Sequence, residues 1–173
     1  HYDHYSIEDI AKVRKSSSEA VYPVSMHGAT ADSGIDDAQE HFLAWNESLD
    51  FRGIKISAIP AYNPEKRFHP AAQQWIGYLL DDGTRRIYIA GDTDITPEAE
   101  AVRCDVALLP IGGTYTMNAH EAATLAVILR PQLVIPTHYG SVAGEPGDEE
   151  VFRQAVAKSA PMVHVEIRME RYA

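Results

Sequence analysis

Apolar and polar positions change their spacing several times along the chain, and each change marks an element. Ile7, Ile10 and Val13 recur at helical spacing behind Ser6, and Ser6-Ile7-Glu8-Asp9 has the form of a capping box, which predicts a first helix. A short strand is expected at Ala20 to Val24. From Gly34 to Asp50 the pattern is ambiguous: Ile35, Ala38, Phe42 and Trp45 are spaced for a helix, yet the segment could equally lead into a hairpin. Ile54, Ile56, Ala58 and Pro60 then alternate with Lys55, Ser57 and Ile59, as in a half-buried strand. Trp75 to Leu80, Asp81-Asp82-Gly83 and Arg86 to Ala90 read as a hairpin with an Asp-Gly turn.

Beyond the hairpin, strand and helix alternate. Pro97 opens a short helix that ends before Cys104, and the unbroken run Val106 to Leu109 predicts a buried strand. Ala119 to Leu129 reads as a helix stopped by Pro131, Leu133 to Ile135 as a strand, Glu149 to Ser159 as a helix, and Val163 to Ile167 as a last strand. Hairpins in front and alternation behind predict sheets covered by helices, an α/β layered domain with its chemistry on loops at one sheet edge.

Composition narrows the picture only at a few points. A chain of 173 residues suits one domain, spanning 1–173. Its formal net charge of −10, with no lysine/arginine run, argues against binding along a phosphate backbone. An anionic small substrate stays compatible with that charge, because bound divalent metals reverse the local field. No apolar run approaches the roughly 20 residues a membrane-spanning helix needs. A single cysteine, Cys104, excludes an internal disulfide and points to a reducing compartment, the cytoplasm; the residue itself reads as a small buried hydrophobe.

Three short stretches carry candidate chemistry. His1-Tyr2-Asp3-His4 places two imidazoles and a carboxylate just ahead of the first helix, donors that suit a divalent transition metal. Gly91-Asp92-Thr93-Asp94 follows an apolar strand, and a carboxylate thrown off a strand end is well placed to bridge two cations. Pro136-Thr137-His138-Tyr139-Gly140 follows another strand, in a sharp turn that would point the imidazole outward. His27, in Ser25-Met26-His27-Gly28, could border a cleft; His41, His120 and His164 read as surface, capping or core positions.

In this order the three stretches resemble the metallo-β-lactamase superfamily, whose two-metal site is built from an H-x-H-x-D-H motif, a later histidine, a bridging aspartate and a final histidine. Further matching stretches are Pro60-Ala61-Tyr62-Asn63, Trp75-Ile76-Gly77-Tyr78, Asp105 to Gly113, Tyr115-Thr116-Met117 with Glu121-Ala122, and Ile135 to Gly140. They look most like the branch containing the L-ascorbate 6-phosphate lactonase-like proteins. The resemblance implies an α/β fold, a four-layer αββα sandwich. It also implies that His1 joins one metal, Asp3 and His4 the other, that Asp92 bridges, and that His138 completes the second site. The family motif has a further histidine two residues before the place of His1, so the chain is expected to be an N-terminally truncated form lacking the opening strands. Relatives often carry the middle histidine where this chain has Asn63; His69, in Phe68-His69-Pro70, is the other candidate for that ligand.

What the resemblance implies for function is a metal-dependent hydrolase. A hydroxide bridging two divalent ions, zinc first and manganese or iron also compatible, would attack an ester, a lactone or a phosphorylated small molecule. Asp3, His4 and Asp92 would be catalytic, and Thr116, Glu121 and Tyr139 would flank the substrate. The expected partners are that small molecule and further copies of the chain in a homo-oligomer, with neither nucleic acid nor membrane. Two rivals make different predictions. One is a metal-binding or scaffold domain of the same fold without activity. The other reads Asp92-Thr93-Asp94-Ile95-Thr96 as the D-x-D-x-T loop of an aspartyl phosphatase, which leaves the two histidine stretches unexplained.

Overall fold

Seven strands lie side by side in the order in which the chain makes them, and that simple order decides where the loops gather. The computed structural model describes residues 3–140 and 143–168. Strands β3 (Ser48–Phe51), β4 (Ile54–Pro60), β5 (Ile76–Asp81) and β6 (Arg86–Ile89) pair antiparallel; β6, β7 (Val106–Pro110), β8 (Leu133–Thr137) and β9 (His164–Val165) pair parallel. Each parallel step is bridged by a helix: α2 (Pro97–Ala101), α3 (Ala119–Leu129) and α4 (Asp148–Ser159). A separate parallel pair, β1 (Ala20–Pro23) and β2 (Glu40–Leu43), follows the first helix, α1 (Ile7–Val13).

The alternating side chains of the large sheet feed two cores. On one face Tyr88, Ala107, Leu109 and Val134 pack with Ala122, Leu125, Ala126, Phe152 and Val156 of α3 and α4. On the other, Ala58 and Ile76 pack with Leu43, Val21 and Trp45 on and beside the two-stranded sheet. The described residues therefore stack helices, large sheet and small sheet in that order. Of the outer helical layer predicted on the far side they contain α1, which buries no side chain.

Local signals explain the element ends. Ser6 accepts a hydrogen bond from the Asp9 amide, and Thr96 caps α2 ahead of Pro97. Asn118 and Glu121 form a reciprocal capping box on α3. The ambiguous stretch resolves without an α-helix: after short 3-10 turns it becomes β2 and then β3. Phe42 stacks on Tyr22 at 5.7 Å and the Trp45 indole donates to the Trp75 carbonyl at 2.9 Å, so pairing and aromatic packing override the helical spacing. The predicted last strand shrinks to His164–Val165, which pairs only with Leu133 and Val134.

Candidate metal centre

Because β4 and β6 run parallel, each separated from the other by the antiparallel β5, the loops after β4, β6, β7 and β8 all open at one sheet edge. That edge holds the candidate ligands. Asp92 lies three residues past β6, His138 directly follows β8, and His69 sits in the long loop after β4. Asp3 and His4 arrive from the turn before α1.

The donors converge. His4 Nε2 is 3.0 Å from Asp92 Oδ1, and His138 Nε2 is 3.4 Å from the same oxygen. Asp3 Oδ2 is 3.4 Å from His138 Nε2 and 3.8 Å from His4 Nε2. On the other side, His69 Nε2 is 3.0 Å from Asp92 Oδ2. Two tetrahedral ligands about 2.0–2.1 Å from one zinc ion stand roughly 3.3 Å apart, so this spacing suits atoms that share a cation. The chemistry of the set fits too, being nitrogen and carboxylate oxygen only. Asp3, His4, His138 and Oδ1 of Asp92 could hold one ion; His69 and Oδ2 of Asp92 face a second position. His1, predicted for that second position, lies outside the described residues.

Backbone and second contacts aim these groups. His69 and His138 both adopt positive φ, 52° and 54°, a left-handed conformation that costs a non-glycine residue energy and is tolerated where the surroundings enforce it. The His69 ring lies edge-on to Trp75 with centroids 5.4 Å apart, and its Nδ1 is 2.8 Å from the Tyr115 carbonyl. A carbonyl only accepts, so Nδ1 carries a proton toward Tyr115, which leaves Nε2 as the ring atom that faces Asp92. Asn63, the alternative for the middle ligand, instead donates from Nδ2 to the same carbonyl at 2.6 Å. Its place is to hold the segment that orients His69.

Charge follows from this geometry. Burial alone would raise the Asp92 carboxyl; the hydrogen bonds from His4 and His69 and the nearby histidine charges outweigh it and hold the carboxyl well below the usual range. His4 moves the other way. Its hydrogen bond to Asp92 raises the imidazole against the opposing effect of burial, and the charges of Asp92 and Asp3 add to the rise.

The remaining predicted residues sit elsewhere. Thr116 is fully buried, with its hydroxyl turned to the Met117 carbonyl. The Glu121 carboxylate accepts from the Asn118 amide in the capping box, and Tyr139 is buried in the helix-side core. A cavity of about 480 Å³ does open at His4, His69 and Asp92, walled also by Tyr5, Tyr22, Trp75, Ile76 and Tyr78, and Thr116, Glu121 and Tyr139 do not line it. His27 packs on Phe42 at 4.8 Å, and His41 pairs with Glu19 at 2.7 Å. Two supports escaped the sequence: Lys66, in the loop that carries His69, and Gly112, whose α-carbon faces the backbone of His138. A Gly-Gly pair after a buried strand was the available signal for the second; for Lys66 there was none.

A mixed sheet with its helix-bridged parallel strands, and histidines and aspartates on the loops at one edge, is the metallo-β-lactamase fold, and those donors suit a metal. The chain belongs to the β-lactamase superfamily: the family described as "Beta-lactamase superfamily domain" matches residues 1–139. Among its relatives is a UPF0173 protein of Pyrococcus furiosus, 30% identical over 161 residues, spanning 91% of this chain and 70% of that one. Another, from Pyrobaculum calidifontis, is named a UPF0173 metal-dependent hydrolase and is 30% identical over 162 residues, 90% of this chain and 69% of its own. A crystal structure from Parabacteroides distasonis, of a protein named for metal-dependent hydrolysis, superposes with a TM-score of 0.78 at 30% identity, covering 97% of this chain and 72% of that one.

Proposed function

We propose that this chain is a metal-dependent hydrolase acting on an ester, a lactone or a phosphorylated small molecule, with zinc as the first expected metal and two ions per site. One observation carries the reading: the two oxygens of Asp92 face different histidines, His4 across Oδ1 and His69 across Oδ2, each at 3.0 Å. A carboxylate so flanked is arranged to join two cation positions. The naming of relatives for metal-dependent hydrolysis supports the same reading.

Bound divalent cations supply Lewis acidity: they make a water acidic enough to attack near neutral pH and stabilise charge on the attacked group. The chain's own residues do the rest. His4, His69 and His138 hold their Nε2 atoms toward the centre, and Asp92 separates the two positions. The Asp3 side chain is 17% exposed against 9% for Asp92, so it is the carboxylate more open to an incoming molecule. In the proposed step Asp3 takes the proton of the attacking water while the water oxygen bonds to the carbonyl or phosphoryl centre. The bond to the leaving group then breaks, and Asp3 returns the proton to it. The aspartyl-phosphatase alternative would need Asp92 free to attack phosphorus, whereas three imidazoles surround it.

Among the described residues no helix is long and apolar enough to cross a membrane. A cytoplasmic setting, a small-molecule substrate, no nucleic-acid or membrane partner, and self-association into a homo-oligomer complete the proposal. Its test is Asp92→Ala in the intact protein, read by elemental analysis and by turnover of an aryl ester, a lactone and an aryl phosphodiester. Loss of bound metal together with turnover is expected. Unchanged metal content and rate would remove Asp92 from its bridging role, and a fully metal-loaded protein inert on all three substrate classes would overturn the hydrolase reading.

A further inference from the structure

We infer that Lys66 is a positioning residue of the metal centre, pinning the loop that carries His69 and the Tyr115–Thr116 segment to the loop that carries Asp92. The inference rests on the metal-site reading above and adds a residue to it.

The Lys66 ammonium donates to Asp94 Oδ1 and to the Thr116 carbonyl, the latter at 2.6 Å. Both contacts lie one step from a ligand. Asp94 is two residues past Asp92, and its amide donates to the Tyr62 carbonyl at 3.2 Å. Thr116 follows Tyr115, whose carbonyl receives both His69 Nδ1 and Asn63 Nδ2. The same three loops are also joined by weaker main-chain links, such as the Met117 amide to the Thr93 carbonyl at 3.3 Å. Lys66 adds a charged clasp at their junction.

Geometry separates this role from contact with substrate. An ammonium has three donors. Asp94 and Thr116 take two, and Glu121 Oε2 stands 3.9 Å away as a third oxygen near the ammonium. The Lys66 side chain is only 27% exposed, and that of Asp94 15%, so the pair is screened by protein more than by water. Removing the ammonium would leave Asp94 enclosed without its cation and the Thr116 carbonyl without its donor. The neighbouring turns would then relax, and with them the aim of His69 and Asp92. Outer groups that orient metal ligands commonly change affinity by about 10–100-fold when lost.

The test compares Lys66→Met, which keeps the aliphatic stem, with Lys66→Arg, which restores a cation. Zinc affinity is measured against a chromophoric chelator, and the melting temperature of the metal-free protein is followed in parallel. The expected result is that Lys66→Met binds zinc about tenfold or more weakly, that Lys66→Arg recovers most of the loss, and that the metal-free melting temperature of Lys66→Met falls by no more than a few degrees. Wild-type affinity in Lys66→Met would overturn the inference. So would a fall in metal-free stability with zinc affinity unchanged, which marks a purely structural bridge. If Lys66→Met does not fold, Asp94→Asn carries the same comparison, since it removes the charge partner and leaves the Thr116 bond in place. A wild-type protein that binds no zinc at all would instead defeat the metal-site reading itself.

Discussion

Gly112→Ala offers a quantitative test of how tightly the sheet edge holds its last histidine. A Cβ at Gly112 would sit 2.4 Å from the His138 carbonyl oxygen, 2.8 Å from Ala143 Cβ and 3.3 Å from His138 Nδ1. Carbon atoms reach their best contact at about 3.5–4.0 Å, so the methyl forces the His138 segment away by roughly 1 Å. Neither neighbour can yield cheaply, since one is main chain and the other a short side chain on the next turn. His138 already holds a left-handed backbone at φ 54°, which leaves its turn little freedom to adjust. Metal–ligand distances tolerate about 0.2 Å, so a displacement of this size takes Nε2 out of range. Overpacking of this kind costs about 1–3 kcal/mol of stability, and loss of ligand alignment should weaken zinc binding by about 10–100-fold. Chelator competition measures the affinity, and thermal melts of the metal-free protein measure the stability. Val156→Ala is the control: it empties part of the core between α4 and the sheet at about 2 kcal/mol and should leave zinc affinity alone. Wild-type affinity in Gly112→Ala, or an equal loss in the control, would refute the steric argument.

Asn63→Ala removes the amide that shares the Tyr115 carbonyl with His69, and zinc affinity should fall about tenfold by chelator titration; no change would mean that His69 holds its tautomer unaided. Asn118→Ala breaks the capping box of α3 and should cost about 1 kcal/mol, a melting shift of a few degrees, without altering bound metal. Stripping metal with a chelator should lower the melting temperature and readdition restore it, because a ligand at about 100 times its dissociation constant stabilises by roughly 2.7 kcal/mol. Burial, with the charge of Asp105 adding, pushes the Cys104 thiol up to about 11 from its ordinary 9.0. A folded value above the unfolded one gives a contribution that is intact below pH 9 and drains away between pH 9 and 11. Cys104→Ala should therefore lose less stability than the wild type over that window, and identical pH profiles would dismiss the thiol.

The legible parts of the fold were those where one local cause acts. Ser6, Thr96 and Pro97, and Asn118 with Glu121 mark helix starts by side chains that satisfy free amides, so α1, α2 and α3 begin where the sequence places them. The unbroken apolar runs of β7 and β8 announce strands that are buried on one face and largely covered on the other. Phe42 and Trp45 failed as guides because their spacing is neutral between helix and strand; the partners that decide, Tyr22 and Trp75, lie 20 and 30 residues away in sequence. Non-local pairing leaves no mark in a local window.

The site was legible for a related reason, and illegible beyond it. Asp92 and His138 each stand at the end of an apolar strand, and parallel strands in sequential order bring their ends to one edge, so these two candidate ligands lie near each other. His69 follows β4 after eight residues of irregular loop, and nothing in Pro64 to Phe68 says which side chain turns inward. That choice belongs to the Tyr115 carbonyl, a main-chain atom past a different strand, whose position depends in turn on the Asp94 loop through Lys66. Ligands displayed by regular elements are written locally, and a ligand displayed by a loop is fixed by whatever clamps that loop. For this centre the histidine hardest to read is therefore the one whose hold on metal should respond most to residues that never touch it.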